Sequence, residues 1–380
     1  MRNTALLKEA TPPAAEIVAV TPDPVAEARA SAKAAGLLYA SDEQAGYRRQ
    51  RRGKAFAYFD TDGQRITERD EITRLNKLAV PPAWTEVWLC PSARGHIQAT
   101  GRDARGRKQY RYHEQWRSTR DANKFDHILD FAANLPALRE RVLHDLAKHG
   151  LPREKILATI VYLLENTLAR VGNEEYARAN KSYGLTTLRN RHVAIAGSTL
   201  RFEFMGKSGK AWKVKLTDRR VAKIVRSCQD LPGQHLFQYI DEAGERQKVT
   251  SADLNAYLRE ISGHDITAKD FRTWAGTVLA ALALQEVEEF DSEVMAKRNL
   301  RLAIEHVAAQ LGNTPTICRK CYIHPHIMDC YLEGNLIALL QQRIGRKLQA
   351  ELAKLKPEEA AVLALLRARL GKEMAKRKAA

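Results

Sequence analysis

Apolar residues between positions 154 and 172 recur at helical spacing. Ile156, Leu157, Ile160, Val161, Leu164 and Leu168 fall on one face of a helix, and Gly172 stands where such a helix would stop. Between about 36 and 117 the pattern is different. The runs KAFAYFD, TEVWLC, HIQATGRD and KQYRYHEQW are short, rich in aromatic and β-branched residues, and broken by Gly and Asp, which predicts strands. ITERDEITRLNKLAV predicts a helix ended by Pro81–Pro82. From about 120 the chain reads as mainly helical, with one island of strands. There, RHVAIAG precedes TLRFEFMGKSGKAWKVKL, which alternates apolar and polar positions on both sides of GKSGK and so predicts a β-hairpin. Helices are expected again from about 218 to the end, with the acidic stretch QEVEEFDSE (285–293) as a solvated loop or helix edge. No repeat of 20 to 50 residues is visible.

The expected fold class is therefore α+β. A small N-terminal antiparallel β-sheet domain covers 36–117. A larger, mostly α-helical domain with a short β-hairpin sheet covers 118–342. Residues 1–35, rich in Ala, Pro and small polar residues, read as a disordered leader. Residues 343–380 read as a basic helical C-terminal extension.

Composition sharpens this picture. The 380-residue chain carries a net charge of +17, and 44% of its residues are hydrophobic. That hydrophobic content builds real cores, and the charge makes a polyanion the first candidate partner. The 36–117 segment alone holds sixteen Lys+Arg against ten Asp+Glu. No long apolar run is present, so a soluble, cytoplasmic protein is expected. Five scattered cysteines suit reduced thiols. Cys318 and Cys321 form a single CxxC near His324 and His326, but without a second pair and inside a predicted helix they read as structural thiols rather than a zinc site.

The segment GNTPTICRKCY sets up a short basic helix: a Gly312–Asn313 break, Thr314 as N-cap, Pro315 at the first position, and Arg319 and Lys320 just before Tyr322. Alone, such a tyrosine reads as core or interface filler. To attack a phosphodiester a tyrosine, with a reference pKa of about 10, needs cations for the developing charge and a donor for the leaving oxygen. Arginine suits the phosphate oxygens because its planar fork binds two at once, and lysine suits the donor role. Candidates stand in marked contexts. Arg170 lies at the end of the helix predicted above, where it equally reads as a cation complementing the helix dipole. Lys207 lies in the hairpin turn, otherwise a solvated lysine. Arg272 lies in KDFRTWAG next to Trp274, otherwise a cation–π or salt-bridge arginine. Asn313 is otherwise an ordinary turn residue.

Five segments in this order resemble the type IB DNA topoisomerases, in particular the compact poxvirus-like form found in bacteria. They are GRDARGRKQYRYHEQW, RVGNEEYARANKSYGLTTLRNRHV around Arg170, FMGKSGK around Lys207, KDFRTW around Arg272, and GNTPTICRKCY ending at Tyr322. The resemblance spans about residues 45 to 335. It implies two lobes forming a clamp around double-stranded DNA, and a 3′-phosphotyrosyl link formed by Tyr322. It implies Arg170 and Arg272 on the non-bridging oxygens and Lys207 protonating the departing 5′ oxygen. It implies strand rotation and religation that relax positive and negative supercoils, with no cofactor, ATP or required metal. A monomer, nucleoid-associated and off the membrane, is expected. Asn313 stands where many members carry His. An amide can still donate a hydrogen bond to phosphate but carries no proton or charge. His324, two residues after Tyr322, reads as a surface residue.

By the same resemblance Gln109, Tyr110 and Tyr112 contact DNA. Arg107 and Lys108 beside them are candidate phosphate contacts, and Tyr176 matches a position that contacts the DNA backbone. Period-2 spacing puts Tyr110 and Tyr112 on one strand face and Arg111 on the other. YRRQRRGK (47–54) reads as a basic phosphate-contacting or solvated loop. Two rivals remain at this point. A tyrosine recombinase usually carries HxxR before the nucleophile, where this chain has Lys269 in KDFR. A non-enzymatic basic DNA-binding protein would need the Arg/Lys/Tyr order to be accidental.

Overall fold

The computed structural model describes residues 24–53, 55–287, 290–341 and 352–379. The chain divides into two compact units, residues 1–122 and 123–380. Residues 1–23 of the expected leader lie outside the described residues. From Pro24 the chain forms helix α1 (Pro24–Ala34), and Ala32 is fully buried with Leu37 and Trp116. Small residues that look linker-like in sequence here let a helix sit close to an indole.

The first unit is built on a five-stranded antiparallel sheet of β1 (Tyr47–Arg52), β2 (Ala55–Phe59), β3 (Thr85–Leu89), β4 (Ile97–Arg102) and β5 (Lys108–Tyr112), in the order β2-β1-β3-β4-β5. Tyr58, Leu75, Val87, Leu89 and Ala99 form its core, with Leu75 supplied by α2 (Arg69–Lys77). The solvated-loop reading of YRRQRRGK is corrected at residues 47–52, which form strand β1, hydrogen-bonded on both sides. Charge hides the strand signal. Arg49 turns inward, donates to the carbonyls of Val80 (2.7 Å), Pro81 (2.9 Å) and Trp84 (3.0 Å), and lies 4.2 Å from the Phe56 ring centroid. Its guanidinium therefore staples the loop after α2 rather than facing a phosphate, while Arg48, Arg51 and Arg52 stay exposed. The division between the units falls inside α3 (Glu114–Leu146).

In the second unit α4 (Arg153–Thr167) is buried on almost every side, Ile156, Leu157, Ile160 and Leu164 being fully enclosed. It ends at Thr167, not near Gly172. Leu168 takes a left-handed conformation (φ +56°) and its N–H bonds Leu164 O, so the chain leaves the helix with the apolar rhythm still intact. After α5 (Glu174–Asn180), a three-stranded meander follows: β6 (Val193–Ala196), β7 (Thr199–Met205) and β8 (Ala211–Thr217). The predicted hairpin is β7–β8, with Met205 opposite Ala211 and the turn at 206–210.

Helix α6 (Arg219–Gln229) comes next, and then a short hairpin of β9 (Gln238–Ile240) and β10 (Arg246–Lys248) interrupts the helices expected there. Three-residue strands are too short to show a period. The remaining helices are α7 (Ser251–Ser262), α8 (Ala268–Gln285), α9 (Glu293–Gln310), α10 (Pro315–Cys321), α11 (Pro325–Leu332), α12 (Leu336–Gln341) and α13 (Pro357–Ala379). Residues 343–351 of the basic C-terminal segment, with residue 342 before them, lie outside the described residues. Helix α13 is an integral part of the core, with Val362, Leu363, Leu365 and Leu366 buried. Among the described residues no helix is long and apolar enough to cross a membrane.

Candidate active site

Four side chains from three segments of the chain meet in the second unit: Arg170, Arg272, and Asn313 with Tyr322. Arg170 lies in the extended stretch after the left-handed cap of α4, which corrects its expected place at a helix end. Arg170 O accepts the Leu185 N–H at 2.8 Å, and Val171 O accepts that of Thr186 at 2.7 Å. The two stretches run so close that a Cβ at Gly184 would lie 2.5 Å from Arg170 O, so glycine is required there.

Arg170 Nη2 donates to Gly312 O at 3.2 Å and to Asn313 Oδ1. Arg170 Nη1 and Asn313 Nδ2 are both buried and have no hydrogen-bond partner. A guanidinium can only donate, so Arg170 takes the amide oxygen Oδ1 and Nδ2–H is the unused donor. Asn313 precedes Thr314, whose side chain accepts from Ile317 N–H and caps α10, as the sequence predicts.

Arg272 comes from the first turns of α8, where Thr267 N–H donates to Asp270 at 2.8 Å. It is only 4% exposed, and its partners include two carbonyls and the Tyr322 side chain: Nη2 donates to Leu311 O at 2.7 Å and Nη1 to Leu168 O. Its guanidinium carbon lies 5.3 Å from the Tyr322 ring centroid. The cation–π partner is thus Tyr322 and not the neighbouring Trp274, which is buried in the core. Burial and then the Arg170 cation pull the Arg272 guanidinium down to about 10, and burial likewise lowers Arg170. Both stay charged at neutral pH. Among the described residues neither pairs with a carboxylate.

Tyr322 follows α10 directly, its N–H donating to Cys318 O at 2.9 Å. Its backbone rests on α8: a Cβ at Gly276 would lie 2.5 Å from Tyr322 O, and Thr277 Oγ1 accepts the His324 N–H at 3.1 Å. His324 is 2% exposed, against the expectation of a surface residue. The helix end that would expose it is covered by Phe125, 5.1 Å away in edge contact. Burial, reinforced by neighbouring His326, lowers its pKa to about 3. Cys318 is buried too, its thiol pushed up to about 11. Among the described residues no group of three His, Cys, Asp or Glu could hold a metal ion.

Lys207 is not brought into this cluster. It stands exposed in the β7–β8 turn. The lysine that reaches the cluster is Lys210, whose Nζ donates to Asn313 O at 3.1 Å. Sequence reasoning missed Lys210, Gly276 and Thr277. The second lysine of GKSGK was visible, but nothing in the pattern said which one faces Asn313.

In the first unit Tyr110 and Tyr112 share a face, stacked at 5.9 Å. Tyr110 is 42% exposed, while Tyr112 leans on the Ala32, Leu37 and Trp116 cluster. Arg107 and Gln109 both bond Asp103, at 2.7 and 3.0 Å, and Lys108 pairs with Asp42 at 2.7 Å. Arg111, on the other face, donates to Ala79 O. Tyr176 in α5 is exposed, with its N–H capped by Asn173.

Comparison with known proteins gives the family. Residues 113–348, well over half of the chain, match the model of the eukaryotic DNA topoisomerase I catalytic core. Residues 55–103 match the bacterial DNA topoisomerase IB N-terminal domain. The chain belongs to the type IB DNA topoisomerases. Among similar type IB enzymes, DNA topoisomerase 1B of Acanthamoeba polyphaga mimivirus is 32% identical over 293 residues, 75% of this chain and 87% of that protein. DNA topoisomerase 1B of vaccinia virus (strain Copenhagen) is 23% identical over 247 residues, 64% of this chain and 74% of its own length. DNA topoisomerase 1 of Mycosarcoma maydis is 24% identical over 266 residues, 62% of this chain but only 26% of that longer protein.

Proposed function

We propose that this type IB topoisomerase relaxes positive and negative supercoils through Tyr322. The observation that carries the assignment is a set of cations and donors without matching acceptors. Buried Arg272 and half-buried Arg170 lack carboxylate partners among the described residues, Arg170 Nη1 and Asn313 Nδ2 are buried donors without acceptors, and Arg272 lies against the Tyr322 ring. Buried unmatched charge and unmade hydrogen bonds are costly, so the site suits an anion that completes them. A phosphodiester fits, its non-bridging oxygens meeting Arg170, Arg272 and Asn313.

In the cleavage step the Tyr322 hydroxyl loses its proton to water and its oxygen bonds to phosphorus. The bond from phosphorus to the 5′ oxygen breaks, and that oxygen takes a proton from the Lys207 ammonium. The cut strand then rotates about the intact one. The 5′ hydroxyl attacks the phosphotyrosine, and Tyr322 leaves. The phosphoester energy is kept in the covalent link, so neither ATP nor another cofactor is consumed.

Gln109, Tyr110 and Tyr112 are assigned to DNA contact. Arg107, Lys108 and Tyr176 are assigned to its phosphates, with 36–117 as the DNA-binding domain and 118–342 as the catalytic one. The two units close as a clamp on duplex DNA, and the enzyme acts as a monomer on the nucleoid. The test is plasmid relaxation in EDTA without ATP. Wild-type protein is expected to relax both signs of supercoil, and Tyr322→Phe to bind DNA without relaxing it or forming a covalent adduct. Folded wild-type protein that relaxes neither sign, or Tyr322→Phe protein that still forms adducts, would refute the assignment.

A further inference from the structure

We infer that Lys210 and Trp212 are positioning residues, a latch that fixes the turn carrying Lys207 against the phosphate site. This rests on the reading of Lys207 as the proton donor. Lys207 is exposed, and among the described residues none pairs with it. Its direction is therefore set by the turn, and the turn's place by what holds it.

The turn is locally well defined. Gly206 N–H bonds Lys210 O at 2.8 Å, and Ser208 (φ +63°) and Gly209 (φ +71°) are both left-handed. On β8, Trp212 sits opposite Phe204 with the rings stacked at 6.3 Å. Its indole lies between two glycines. A Cβ at Gly206 would come 2.6 Å from Trp212 Cδ1, and one at Gly312 would come 2.9 Å from Cζ2. One indole thus touches the base of the Lys207 turn and the residue before Asn313. From the same turn Lys210 Nζ reaches Asn313 O at 3.1 Å.

Both contacts end on residues 312–313, whose side chain and carbonyl also bind Arg170. The hairpin and the phosphate receptor are therefore tied at two points, one apolar and one a charge-assisted hydrogen bond. Asn313 uses its carbonyl for Lys210 and its side chain for Arg170, so the latch occupies no group that the phosphate needs. Releasing it should misplace the donor and leave the receptor intact, and a displacement of about 1 Å can cost about 100-fold in rate.

The experiment is single-turnover cleavage of two DNA substrates, one with the ordinary 5′ oxygen at the scissile bond and one with a 5′ sulfur. Sulfur departs as a thiolate and needs no proton. Lys210→Met keeps the aliphatic stem of an exposed residue, and Trp212→Leu tests the second contact. Both are expected to cleave the oxygen substrate about 10- to 100-fold slower than wild type and the sulfur substrate within about threefold of it. Lys207→Ala is expected to show the same pattern with a larger loss. Lys210→Arg restores a donor to Asn313 O but is a poor proton donor. It should recover most of the rate on oxygen. Equal slowing by Lys210→Met on both substrates, or none on either, would overturn the latch, as would failure of Lys210→Arg to restore cleavage. Loss of the sulfur advantage in Lys207→Ala itself would instead overturn the proton-donor reading beneath it.

Discussion

Asn313 shows how much one side chain settles at this site. Its Oδ1 is held by Arg170, which leaves Nδ2–H as the only donor it can offer to a phosphate oxygen. Asn313→Ala should therefore slow cleavage by about 100- to 1,000-fold, the usual loss for one donor to a developing oxyanion. Single-turnover adduct formation measures this, and a loss below tenfold would remove Asn313 from the site. His324 acts on stability instead. The unfolded chain binds a proton at this histidine near pH 6.5, its ordinary value, and the folded protein only near pH 3. Between these values the unfolded state holds more protons. Stability present above about pH 6.5 is therefore lost as the pH falls through that window. His324→Gln is expected to flatten the acid limb of melting temperature against pH. An unchanged slope would mean that other groups carry it. The order Arg170, Lys207, Arg272, Asn313, Tyr322 was legible in the sequence because each residue sits in a marked local context. The burial of His324 was not, because Phe125, which covers it, lies about 200 residues away in the chain.

At the scale of elements, α8 joins two tasks on one face. Arg272 and Gly276 are four residues apart, so the helix that presents the guanidinium also gives the Tyr322 backbone its seat. Gly276→Ala would put a methyl group 2.5 Å from Tyr322 O, and the nucleophile segment would have to move. Cleavage is expected to fall about 100-fold while DNA affinity stays near wild type. Paired adduct-formation and gel-shift assays test this, and an undisturbed cleavage rate would show that the segment is not seated there. Elements were legible where a period ran long enough, as in α4 and the β7–β8 hairpin. They were not where another force overrode the pattern. The rhythm of α4 runs on through Leu168, but a left-handed residue ends the helix and frees Arg170 to reach Asn313. Strand β1 reads as a charged loop because its inward position is an arginine satisfied by three carbonyls.

At the scale of the whole molecule, α13 is fastened to the catalytic unit by a buried charge cluster. Arg139 donates to both oxygens of Glu359, at 2.7 and 2.8 Å, and through Nε to Glu165 at 2.8 Å. Burial opposes the charges, but the pairing holds the Glu359 carboxyl below its ordinary value. Glu359→Gln should cost roughly 2 kcal/mol, because it weakens charge-assisted bonds to a largely buried guanidinium. Urea denaturation of the full chain reads this directly, and an unchanged midpoint would mean that the charge cluster adds nothing to the apolar packing that holds α13. By itself the sequence determined the α+β class and the basic balance that suits a polyanion, and it singled out Arg170, Arg272, Asn313 and Tyr322, in that order, as candidates. Local periodicity, caps and residue chemistry carry that information. Only the tertiary structure decided which groups meet. It placed Lys210, not Lys207, against Asn313, set Tyr322 on Gly276, and left Arg170 Nη1 and Asn313 Nδ2 buried without acceptors. Those facts depend on close approach between segments distant in the chain, and no local pattern encodes such distances.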